Sequence, residues 1–201
     1  MKLIGITGGV GAGKTEILSF IKQHYNCEIH LADEVAKKIQ EPGEVCYAKV
    51  VSLLGNEVLA PDGRIDRGKM ATKIFLNTDL LRKINDIVHP AVRTYLEQAV
   101  MKARQEGNVE LFFIEAALLI ESGYRDFVDE MWYIYADDSV RRERLKKSRG
   151  YTPEKIAKIM ESQLSDEAFR EGSDFVIDNS GDFGKACMQI KKRLEAYTWE
   201  E

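Results

Sequence analysis

The stretch Gly8-Gly9-Val10-Gly11-Ala12-Gly13-Lys14-Thr15 fits the pattern G-x-x-x-x-G-K-[ST] and constrains the fold more than any other part of the chain. Such a stretch cradles phosphate only where a strand feeds it and a helix leaves it, because the helix N-terminus supplies converging amides. Both flanks are present. Leu3-Ile4-Gly5-Ile6-Thr7 reads as a short buried strand, and Ile17, Leu18, Ile21 and Tyr25 then recur at helical spacing. The glycines let the backbone wrap closely around phosphate oxygens. Lys14 offers a cation to the β/γ-phosphates, and the Thr15 hydroxyl is a ligand for Mg²⁺.

Strand-like runs recur near 2–7, 28–32, 110–115, 131–136 and 174–178, separated by helical patterns. This alternation predicts an α/β fold with a parallel sheet covered on both faces. A final helix is expected from Phe183, Cys187, Ile190, Leu194 and Tyr197, and another begins at Thr152-Pro153, with threonine as cap and proline at the first position. The long segment 33–109 holds a turn at Pro61-Asp62-Gly63 and two or three further helices. His89-Pro90 marks a break between two of them, since proline disfavours helix in the residue before it. This segment is read as the acceptor-binding portion.

At 201 residues the chain suffices for one α/β core with a subdomain. Its 29 Lys+Arg against 33 Asp+Glu give a net charge of −4, which argues against a dedicated nucleic-acid binder. No apolar run approaches the ~18–20 residues of a membrane span, and the first strand leaves no room for a leader peptide. Cys27, Cys46 and Cys187 form no C-x-x-C and read as buried thiols in a reducing, cytoplasmic compartment.

Other side chains carry candidate chemistry. Asp33 follows the second strand in Ile29-His30-Leu31-Ala32-Asp33, where ligands of doubly wound sheets bind. Its carboxylate suits either a base that accepts a hydroxyl proton or an N-cap for a helix over 34–40, and spacing alone does not choose. Glu115 ends Leu111-Phe112-Phe113-Ile114-Glu115, the place of an Mg²⁺-holding acid or of a merely solvated one. Arg141-Arg142-Glu143-Arg144-Leu145-Lys146-Lys147-Ser148-Arg149 is a solvated helix face or, beside a phosphate loop, a lid whose arginines close over the phosphoryl group. His89 is a substrate contact or a helix-terminal histidine. Asp182-Phe183-Gly184 and Asp178-Asn179-Ser180-Gly181 mimic kinase and GTPase motifs but lack the companions those motifs require.

Several segments together resemble the dephospho-coenzyme A kinase family. Ile4–Thr15 is similar to its opening strand and loop. Ala32-Asp33, Glu41-Pro42-Gly43, Gly63-Arg64-Ile65-Asp66-Arg67 and Ile84-Asn85-Asp86-Ile87-Val88-His89-Pro90 resemble its acceptor-side motifs. Leu118-Leu119-Ile120-Glu121, then Arg144-Leu145, Thr152 and Gln163, then Val176-Ile177-Asp178-Asn179 complete the set in order. The resemblance implies a three-layer phosphate-loop kinase with a five-stranded parallel sheet. It divides the chain into a core (1–32, 110–136, 165–201), a helical acceptor-binding subdomain (33–109) and a lid (137–164).

The activity implied is Mg-ATP-dependent transfer to the ribose 3′-hydroxyl of dephospho-coenzyme A. Asp33 would be the base, with Lys14 and Arg144 stabilising the phosphoryl group. ATP would be held by Gly9, Gly11, Ala12, Gly13, Lys14, Thr15, Glu16 and Asn179, and Mg²⁺ by Thr15 and Glu115. Arg67 and His89 would contact the acceptor, with Arg64, Lys69 and Arg93 as further candidates for its phosphates. Neither nucleic acid nor membrane is an expected partner, and a monomer or weak homo-oligomer is expected. The alternatives are another nucleotide or nucleoside kinase, or a regulatory NTPase. The chain departs from the family at Leu31, often aspartate, at Ala117, usually proline, and at Ser148, often a lid arginine, with Arg149 one residue later.

Overall fold

The computed structural model of the chain describes residues 1–75 and 77–197. Residue 76 of the expected helical segment and residues 198–201 of the expected core lie outside them. Two compact units emerge, one from residues 1–29 and the chain from 107 onward, the other from 30–106.

The first unit is organised by a sheet of β1 (Lys2–Thr7), β2 (Cys27–Leu31), β3 (Leu111–Glu115), β4 (Glu130–Tyr135) and β5 (Phe175–Asp178). Their order is β2-β3-β1-β4-β5. β1 pairs in parallel with β3 and β4, and β4 with β5, in the parallel α/β arrangement that the strand spacing predicts. The strands read as continuous apolar runs because both faces are buried. On one face Ile4, Ile6, Leu111, Phe113, Trp132, Ile134 and Ile177 pack against Ile17, Leu18 and Ile21 of α1 (Lys14–His24). Ala186, Ile190 and Leu194 of the last helix (Phe183–Glu195) join the same cluster. On the other face Tyr133 stacks on Phe169 with ring centroids 4.7 Å apart. The chain leaves central β1 toward β2 on one side and later fills β4 and β5 on the other. The reversal makes the carboxyl end of β1 a topological switch point, where crevices open in such sheets.

The second unit is helical: α2 (Ala32–Lys38), α3 (Tyr47–Leu54), α4 (Arg67–Phe75) and α5 (Thr78–Glu106). These four helices exceed the two or three expected. Pro61-Asp62-Gly63 does turn, closing Leu59 against Ile65. The expected break at His89-Pro90 is absent, for α5 runs through with Pro90 inside it. Ile84, Val88, Val92, Leu96, Val100 and Ala103 form one unbroken buried stripe. That stripe outweighs the single ladder bond Pro90 removes, and Pro90 itself sits on the exposed side. Asp33 is likewise not the helix cap. Leu31 holds that position in extended conformation, and Asp33 lies inside the first turn, where a carboxylate suits the dipole.

The remaining helices are α6 (Asp138–Arg149), α7 (Pro153–Glu161), α8 (Asp166–Glu171) and α9 (Phe183–Glu195). Thr152 caps α7 as expected, its hydroxyl accepting from the Lys155 amide with Pro153 in the first turn. Cys46 is buried, but Cys27 and Cys187 are only partly so, and all three are free thiols. Among the described residues no helix is long and apolar enough to cross a membrane.

At the amino end of β4 a buried carboxylate ties the last helix to the sheet. Glu130 is 7% exposed. It accepts from Trp132 Nε1 at 2.9 Å, Tyr197 Oη at 2.8 Å and Arg193 Nε at 3.1 Å. Burial pushes its pKa up, but these hydrogen bonds and the Arg193 charge outweigh burial and hold it below the usual glutamate range. A depressed carboxylate contributes stability in full above its unfolded pKa, about 4.3, and loses it as pH falls through the folded value. Glu130→Gln should therefore cost about 1.5–3 kcal/mol at pH 7. The gap to wild type should narrow below about pH 4 in denaturant titrations. A gap independent of pH would contradict this assignment.

Candidate active site

The loop between β1 and α1 turns so sharply that only glycine suits some of its positions. Gly8 and Gly13 have φ of 149° and 92°. A Cβ on Gly8 would lie 2.5 Å from the Ile134 carbonyl, and one on Gly13 would lie 2.3 Å from Asn179 Nδ2. Gly13 also forms the N-terminal boundary of α1, so the first amides of that helix open onto the loop.

Strand register brings the other groups to this loop. Parallel pairing sets Ile6 beside Glu115, so β3 delivers its terminal acid next to the loop's root. Lys14 Nζ lies 3.6 Å from Glu115 Oε1 and donates to the Gly8 carbonyl at 2.7 Å. Both side chains are only 15% exposed, so the pair stands in a poorly hydrated setting where charge interactions exceed their surface value. Two strands away, Asn179 follows β5 and is fully buried. Its amide nitrogen donates 2.8 Å to the Ala12 carbonyl, while its Oδ1 has no hydrogen-bond partner among the described residues.

The basic segment is helix α6, and it divides by face. Arg142, Lys146, Lys147 and Arg149 are exposed, in keeping with a solvated surface. Arg141 and Arg144, three residues apart and so on one side, turn to the loop. Arg144 donates to the Ala12 carbonyl at 3.3 Å and to the Asn179 carbonyl at 2.8 Å, joining the loop to the end of β5. Arg141 Nε donates to the Val10 carbonyl at 3.0 Å. Gln163 Oε1 accepts from the Val10 amide at 3.1 Å and from Arg141 at 2.8 Å. Arg141 was not separable from its cationic neighbours in the sequence. Its contact lies 131 residues away, and no local pattern announces it.

The structure thus gathers Gly9, Gly11, Ala12, Gly13, Lys14, Glu115, Arg144 and Asn179 around one loop, with Thr15 and Glu16 exposed in the first turn of α1. Asp33, Arg67 and His89 belong to the second unit. Asp33 is exposed in α2, and His89 is exposed midway along α5. Arg67 braces α2, donating to Gln40 Oε1 at 3.0 Å and to the Lys37 carbonyl at 3.1 Å. Among the described residues no group of three or more His, Cys, Asp or Glu is placed to hold a metal. One carboxylate and one hydroxyl nonetheless match how Mg²⁺ is held in phosphoryl-transfer sites, where phosphates and water complete its shell.

Known proteins resemble this chain in sequence and in fold. The family model described as dephospho-CoA kinase matches residues 2–184. A dephospho-CoA kinase of Corynebacterium diphtheriae is 32% identical over 200 residues, covering 100% of this chain and 96% of its own. A crystal structure from Thermus thermophilus superposes with a TM-score of 0.81 at 24% identity, covering 98% of each chain. A dephospho-CoA kinase from Campylobacter jejuni gives a TM-score of 0.72 at 22% identity, covering 97% of this chain and 96% of that one. At those identities the two structures speak to the fold.

Gly13 offers a direct check of the loop. Gly13→Ala places a side chain in left-handed backbone, costing about 1–2 kcal/mol, and drives it into the Asn179 amide. The variant should lose about 2 kcal/mol or more in urea unfolding. Unchanged stability would mean the loop does not take this conformation.

Proposed function

The chain belongs to the dephospho-CoA kinase family, and on that premise we propose that it transfers the ATP γ-phosphoryl to the ribose 3′-hydroxyl of dephospho-coenzyme A, yielding coenzyme A and ADP. The observation that carries this reading is the convergence of Lys14, Glu115, Arg144 and Asn179 on one glycine-rich loop. Gly9, Gly11, Ala12, Gly13, Lys14, Thr15 and Glu16 wrap the phosphates. Lys14 leaves its resting contact on the Gly8 carbonyl to meet the β/γ-oxygens. Arg144, already at the loop, stabilises charge on the transferred group from a fixed position, so little reorganisation is needed during reaction. Asn179 lies beside the adenine.

The Thr15 hydroxyl and Glu115 carboxylate would hold Mg²⁺, whose charge offsets that of the phosphates. Asp33 accepts the 3′-hydroxyl proton and orients the oxygen for in-line attack. The helical unit binds the acceptor, with His89 as a contact. The Arg67 guanidinium already grips the end of α2, which supports a role in holding the helix that carries Asp33. Residues 137–164 act as the lid. Free thiols support a reducing, cytoplasmic setting.

Transfer from ATP, measured across dephospho-coenzyme A, AMP, CMP, uridine and pantothenate, tests the reading. Dephospho-coenzyme A should exceed every other acceptor, and preference for a nucleoside monophosphate would assign the chain a different acceptor. Asp33→Asn tests the base. It removes one charge near a helix start, so stability should change by less than about 1 kcal/mol, while kcat falls by about 10²-fold or more and ATP binding survives. Leu31 leaves no second aspartate two residues earlier, so an active Asp33→Asn enzyme would sink this assignment.

A further inference from the structure

The loop's apex is gripped by two side chains that the phosphate chemistry does not require. Val10 has its carbonyl bound by Arg141 Nε at 3.0 Å and its amide bound to Gln163 Oε1 at 3.1 Å. The same Gln163 oxygen accepts from Arg141 at 2.8 Å, which closes a ring of three hydrogen bonds around one residue. Arg141 is 11% exposed and also lies 3.5 Å from Asp138 at the start of its own helix. An independent feature agrees. A Cβ on Gly9 would stand 2.3 Å from an Arg141 guanidinium nitrogen, so the glycine leaves the room the arginine fills. The Val10 amide, committed to Gln163, is not available to a phosphate.

We propose that Arg141 and Gln163 form a clasp that fixes the Val10 peptide and sets the phosphate loop's geometry before ATP arrives, acting as positioning residues. The inference rests on the ATP-binding reading above. A tight loop left unbraced samples more conformations, and binding must then order it at a cost in affinity. The clasp removes that cost in advance. It also makes the loop sensitive to the position of α6 and of the turn after α7, because Arg141 comes from one and Gln163 from the other. Arg141 suits the task better than lysine because its fork reaches the Val10 carbonyl and Gln163 at once.

Variants separate this role from direct phosphate contact. Binding of Mg-ATP to the full chain by calorimetry, beside steady-state kinetics and melting, compares wild type with Gln163→Met, Gln163→Glu, Arg141→Lys and Gly9→Ala. Gln163→Met and Arg141→Lys should weaken ATP binding and raise its KM roughly tenfold. The acceptor KM should stay within about twofold, because the clasp touches only the nucleotide loop. Gln163→Glu keeps an accepting oxygen for Val10 and Arg141 and should bind ATP more tightly than Gln163→Met. Gly9→Ala evicts the guanidinium, so adding it to Arg141→Lys should worsen binding little further. Wild-type ATP affinity in Gln163→Met would overturn the proposal. So would an Arg141→Lys defect confined to kcat, which would place Arg141 on the transferring phosphate. A wild-type protein that binds ATP but phosphorylates none of the acceptors would instead defeat the assigned reaction and leave the clasp standing.

Discussion

A loop that turns its amides toward an anion must turn its carbonyls elsewhere, and each buried carbonyl needs a donor. Here the donors come from distant parts of the chain. Lys14 meets the Gly8 carbonyl, Arg141 that of Val10, and Asn179 and Arg144 together that of Ala12. The Ala12 amide serves Gly9, and the α1 amides of Glu16 and Ile17 serve Gly13. Its shape is therefore set by α6 and by the end of β5 as much as by its glycines. Phosphate binding and the integrity of the fold meet in these few bonds.

The sheet separates the work of stability from the work of chemistry. The carboxyl ends of β1, β3 and β5 carry the loop, Glu115 and Asn179, where the chain can open crevices. At the opposite end Glu130 locks Trp132, Arg193 and Tyr197 into one charge-assisted network. A buried carboxylate is costly unless well paired, and this one gathers enough donors to remain ionised. At the site end, by contrast, the buried Asn179 Oδ1 has no hydrogen-bond partner among the described residues.

The parallel strands, the loop and α9 were legible because each is a local pattern: an apolar run, a glycine spacing, a 3.6-residue period. Glu115 was legible as an acid ending such a run. Pro90 misled because a rule about neighbouring residues competed with a stripe from Ile84 to Ala103 that only tertiary burial enforces. At Asp33 spacing alone left base and helix cap open, and the structure removes the cap, since α2 begins at Ala32 and holds the aspartate inside its first turn. Arg141 stood in a run of cations whose sides only the folded helix distinguishes. Its partners Val10 and Gln163 lie 131 and 22 residues away, separations no periodicity encodes.

The function proposed for this loop is to pass one phosphoryl group to one hydroxyl. Incubating the full chain with γ-labelled ATP and dephospho-coenzyme A, then treating the product with a 3′-specific phosphatase, tests it most directly. The label should appear on the acceptor, be released in full by that phosphatase, and appear as inorganic phosphate only slowly when the acceptor is omitted. Label that resists the 3′-specific enzyme, or ATP hydrolysis just as fast without acceptor, would contradict it.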